Sequence, residues 1–66
     1  MTARQNGGLV FVRDESGHIV RAHNAVRLAM ELLRIGKERF VRRYGFSLTP
    51  SATTHAEAKR RMRRAG

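Results

Sequence analysis

Residues 24–44, NAVRLAMELLRIGKERFVRRY, are the longest periodic stretch of this 66-residue chain and constrain its fold more than any other feature. At about 100° per residue, Arg27, Glu31, Arg34, Glu38 and Arg42 align in one narrow charged stripe. Ala25, Val26, Leu28, Ala29, Met30, Leu32, Leu33 and Ile35 cover nearly all of the remaining circumference. The spacing predicts a single helix whose first three turns are buried on most sides. Asn24 suits the N-cap, where its side-chain oxygen accepts from free amides of the first turn, and Gly45 suits the C′ stop. Arg42 and Arg43 fall in the last turn, where cations complement the helix dipole. Charged residues of the stripe stand i,i+4 and can pair at a solvent edge. Gly36, about 1 kcal/mol worse than alanine in a helix, signals a kink, a close backbone approach or a tolerated exposed position.

The flanks are shorter and more polar. Residues 1–8 read as a disordered lead-in ending in Gly7 and Gly8. Residues 9–21 read as a hairpin, LVFVR and HIVR joined by Asp-Glu-Ser-Gly, with Gly17 supplying a positive φ. A two-stranded hairpin is unstable alone, so an apolar face of Leu9, Phe11 and Ile19 or Val20 is expected against the helix. Residues 50–64 read as a basic helix with two possible starts, Thr49 before Pro50 or a capping box from Thr54 to Glu57. The fold class that follows is α+β, mostly α, in one small domain.

A domain of this size buries little surface per residue, and the chain has no cysteine to form a disulfide or thiolate metal site. Self-association is the remaining staple. The wide apolar arc, through Leu28, Leu32, Leu33 and Ile35, is the expected interface of a homo-oligomer. The net charge of +9 makes a polyanion the expected partner, with DNA first. Of the 14 basic residues 12 are arginine, which favours bidentate phosphate contacts. An anionic membrane surface comes second, because two glutamates interrupt the basic stripe; no apolar run approaches the roughly 18 residues of a membrane span, and the first residues lack a signal-peptide core. The expected location is cytoplasmic.

Two basic groups are candidate nucleic-acid contacts: Lys59, Arg60, Arg61, Arg63 and Arg64 near the C-terminus, and Arg39, Arg42 and Arg43 near Tyr44, with Arg39 and Arg43 the foremost of these three. Phe40, Val41 and Tyr44 share a face better suited to a core or interface than to base stacking. His18, His23 and Asn24 at a hairpin-helix junction are the elements of a ββα-metal nuclease, but no carboxylate neighbours either histidine. His55 reads as an exposed polar residue. No phosphate-binding glycine loop and no nucleophile-base pair are visible, so no catalytic residue, metal or cofactor is assigned.

The order of elements resembles the C-terminal half of a phage terminase small subunit. The resemblance rests on His23-Asn24-Ala25 leading into a long helix, and on Tyr44-Gly45-Phe46-Ser47-Leu48-Thr49-Pro50-Ser51 closing it before a basic helix. Ala25 stands where the family carries proline, and two residues separate Gly45 from Leu48 where the family has them adjacent. The resemblance implies a non-enzymatic subunit that forms a ring, engages viral DNA and regulates the large terminase subunit, in the host cell cytoplasm. An alternative is a small phage-type inhibitor, anti-CRISPR-like, that uses its basic surface to occupy a host nucleic-acid-binding defence protein.

Overall fold

The computed structural model describes residues 1–65. Three antiparallel strands, β1 (Thr2–Asn6), β2 (Leu9–Arg13) and β3 (Ile19–Asn24), pair in the order β1-β2-β3. Three helices follow, α1 (Ala25–Ile35), α2 (Lys37–Tyr44) and α3 (Ala52–Ala65). The chain adopts the α+β, mostly α class, with one more strand and one more helix than the sequence pattern predicts.

The extra strand lies in the segment read as a disordered lead-in. Thr2 pairs with Arg13 and Asn6 with Leu9, while Gly7, at φ 61°, opens the two-residue turn between the strands. A positive φ at the first turn position is what a II′ hairpin requires. β1 is polar because it is an edge strand that half-buries only Ala3 and Gln5. Gln5 then ties it to distant chain: its Oε1 accepts from the Ser51 N–H at 2.9 Å and its Nε2 donates to Thr54 Oγ1 at 2.6 Å. Contacts between residues so far apart leave no periodicity in the strand itself.

The hairpin of β2 and β3 forms with Asp14 accepting from the Ser16 and His18 amides and Gly17 at φ 85°. Its faces are the reverse of the expected ones. Val10 and Val12 are fully buried, and Leu9 and Phe11 point to the other side. With a side-chain period of two, a choice of parity exchanges the faces completely. A register shift between Val12 and Arg13 then sets Ile19 opposite Arg13.

Asn24 caps α1, its side chain accepting from the Arg27 amide, and the Ala25 amide donates to the Gly8 carbonyl at 2.9 Å. The single helix expected over 24–44 is broken at Gly36, whose φ 86° and ψ 163° lie in a region essentially reserved for glycine. A Cβ at Gly36 would meet nothing within 4 Å, so conformation and not a close neighbour explains the residue. The bend turns Phe40 into the core at 0% exposure. Gly45 ends α2 in the left-handed conformation, as its position predicts.

The α3 start is neither of the two expected. Ser51 precedes the helix and its Oγ accepts from the Thr54 amide at 3.3 Å, so Pro50 stays outside and Thr54 is held by Ser51 and Gln5. α3 packs along α1, and each contributes a completely buried alanine, Ala29 and Ala58. The main core joins Val10, Val12, Ala25, Leu28, Phe40, Phe46 and Leu48, with Ala3, Leu32, Ile35 and Tyr44 packed against it.

That core takes in part of the expected oligomer interface. Leu28 lies inside it, and Leu32 and Ile35 are half-buried on it; of the four residues only Leu33 stays exposed, at 37%. The sheet, α2 and α3 together cover an arc too wide for one hairpin, so the arc by itself no longer calls for a second chain.

Candidate nucleic-acid interface

The break at Gly36 makes an elbow, and the elbow gathers arginines. In a straight helix Arg34 and Arg43 would stand nine residues apart along the axis. Here both reach the half-buried Glu31: Arg34 forms an ion pair with it from within α1, and Arg43 approaches it to 3.5 Å from α2. The contact spans twelve residues and exists only because the chain bends.

Arg34, Arg39, Arg42 and Arg43 line an open concavity of about 410 Å³ with Ile35 among them. Arg42 stands 3.8 Å from Glu38, a pair exposed on both sides that solvent and salt weaken. Arg39 has no ion-pair partner among the described residues. Behind them the elbow is stiffened by aromatics: the Phe40 and Tyr44 rings lie 4.5 Å apart, Phe46 meets Phe40 edge-on at 5.7 Å, and the Arg43 guanidinium stands 6.0 Å from the Tyr44 ring. Four forked guanidiniums with a fixed base can take phosphate oxygens in bidentate fashion.

The second basic group lies on α3. Thr54 and Ala58 are buried and Met62 is half-buried, a stripe at i, i+4 and i+8 that faces the protein. Lys59, Arg60, Arg61, Arg63 and Arg64 are all exposed. Glu57 engages two of them, Arg60 and, at 3.0 Å, Arg61. Lys59, Arg63 and Arg64 have no ion-pair partner among the described residues and are the cations on this helix most available to an external anion.

Of the residues singled out from the sequence, Arg39, Arg42 and Arg43 thus belong to the elbow and the other five to α3. Arg34 completes the elbow and was missed as a contact because a straight helix assigns it to a stripe paired with glutamates. Gly36 was the available signal.

The histidines take other places. His18 lies in the β2–β3 turn, its amide bound to Asp14. His23 packs edge-on to Tyr44 at 6.2 Å and beside Phe46 at 6.4 Å, with its Nε2 buried and without a hydrogen-bond partner. His55 is half-buried in the first turn of α3. Among the described residues no three His, Asp or Glu side chains converge as a metal site, and no helix is long and apolar enough to cross a membrane. Comparison with known proteins gives no match: no family model, no curated protein and no solved structure corresponds to this chain.

Proposed function

We propose that the protein is a non-enzymatic DNA-binding protein that contacts the phosphate backbone through the elbow of α1 and α2 and through α3. The observation that carries the reading is the convergence of Arg34, Arg39, Arg42 and Arg43 on one open concavity in a chain of net charge +9. Phosphates would take over the guanidinium forks now shared with Glu31 and Glu38 and meet Arg39 directly. Backbone contact of this kind positions a duplex without reading its sequence.

The narrower role is that of a small subunit in phage DNA packaging, acting in the host cytoplasm with a large terminase subunit as partner. Its support is the resemblance of Tyr44 to Ser51 and of His23-Asn24-Ala25 to that family. With Leu28 inside the core, ring assembly would have to use other surface.

Duplex DNA titrated at several salt concentrations tests the binding reading. Contacts from the four elbow arginines with Lys59, Arg63 and Arg64 give a slope of log K against log salt of about −6. No binding at physiological salt, or a slope near zero, rejects it. Native mass measurement tests the packaging role, which requires a ring-sized oligomer and fails for a monomer.

A further inference from the structure

The sheet has two faces, and the chain covers one. Val10 and Val12 turn toward α1 and the core, while Leu9, Phe11 and Arg13 turn away. Residues directly opposite in an antiparallel pair share a face, so Arg4, Ala22 and Ile19 lie on this outer side with them. Val20, two residues before Ala22, belongs there too. Leu9, Ile19 and Val20 are 44%, 50% and 47% exposed. Of the four aromatic residues, Phe11 alone stands outside the core, at the centre of this face.

We propose that the open face docks an amphipathic helix with acidic flanks, supplied by a protein partner. Charge selects the partner. Arg4 lies directly across from Phe11, and Arg13 follows on the same strand, while none of the chain's five carboxylates is on this face. Glu31, Glu38 and Glu57 are on the helices, and Asp14 and Glu15 are in the turn. A second copy would bring +9 toward +9 and set the same arginines against each other.

Size agrees with charge. Strands about 4.8 Å apart make the outer two about 10 Å distant, the diameter of one helix. A helix laid across Leu9, Phe11, Val20 and Ala22 would complete a three-layer arrangement over a sheet now packed on one side. The DNA-facing cations belong to helices on the other side of the sheet, so the two surfaces can be occupied together and are tested separately.

The full chain, isotopically labelled, is titrated with a synthetic helix of about 18 residues, about 27 Å long. The probe carries a leucine stripe flanked by glutamates, and a control carries the same stripe flanked by lysines. The acidic probe is expected to give saturable resonance shifts at Leu9, Phe11, Ile19, Val20 and Ala22, and the control to bind about tenfold more weakly. Val20→Ser, which removes apolar contact without adding charge, should lower affinity for the acidic probe about tenfold. Arg4→Glu, a surface exchange that does not depend on the apolar packing, should shift preference toward the lysine-flanked control. Absence of saturation, equal binding of the two probes, unchanged preference in Arg4→Glu, or shifts confined to α2 and α3 would overturn the proposal. So would a concentration-dependent dimer, or a DNA titration, that moves the same outer-face resonances, because the occupant would then be a second copy or nucleic acid.

Discussion

α2 and α3 are both basic helices, yet they hold their charge in different ways. α2 has eight residues and is anchored by Phe40, fully buried, and Tyr44, packed against the core. Its arginines are therefore fixed relative to Arg34 on α1, and all four meet at one concavity. α3 is longer, at fourteen residues, but among its described side chains it buries only Thr54 and Ala58, with His55, Glu57 and Met62 half-buried, and its cations fan out into solvent. Charge density along the sequence favours α3, with five cations in six residues. Convergence in space favours α2. A run of basic residues sets how strongly a segment attracts anions, and the side chains that anchor it set whether it can hold one in a defined geometry.

The sharpest way to break this contrast is Phe40→Ala. Removing a fully buried aromatic should cost about 3–5 kcal/mol, measured by denaturant unfolding, and remove the elbow with it. An elbow that survived with native DNA affinity would show that Phe40 is not its anchor. Gly36→Ala comes next, at about 1–3 kcal/mol, because alanine must occupy φ 86° and ψ 163° or straighten the junction. Lost thermal stability together with a flatter salt slope is the expected pair of results.

Neutralisation separates the two helices as DNA contacts. Exchanging Lys59, Arg63 and Arg64 for glutamine should reduce the salt slope by about three, and exchanging Arg39 and Arg43 by about two. The elbow pair should cost more affinity per charge if geometry matters as argued; equal cost per charge would reduce both helices to diffuse attraction. The smallest effect expected is that of Ser51→Ala, about 1 kcal/mol, from loss of the Oγ that accepts from the Thr54 amide and from Gln5 Nε2. Increased hydrogen exchange in the first turn of α3, with α2 unchanged, would mark it as local.

Much of the fold was legible where signals are local. Asn24 and Gly45 cap as their chemistry predicts, and the Asp14 to Gly17 turn closes the hairpin. β1 was not legible, because a polar edge strand has neither apolar alternation nor a helical period, and its tie to α3 runs through Gln5 alone among its side chains. Parity of β2 was expected the wrong way round, because LVFVR offers apolar residues on both faces and alternation alone does not choose between them. Arg39, Arg42 and Arg43 were identifiable as candidate contacts from their clustering near the C-terminal end of the helical stretch. Arg34 was hidden because its neighbours in sequence are glutamates and its neighbours in space lie across a bend.

By itself the sequence determined that residues 25–44 are helical apart from Gly36, that the start and stop of the stretch are capped, and that the chain carries a net charge of +9. These are properties of spacing, backbone chemistry and composition, which act over a few residues or over the whole chain at once. Only the tertiary structure decided that the helix breaks at Gly36, that its apolar arc closes on its own sheet and helices, and that four arginines meet at the bend. The physical reason is that glycine permits a bend without requiring one. What selects it is the burial of Phe40 in the core that also holds Val10, Val12 and Leu28, a gain that exists only once the strands and helices are in place.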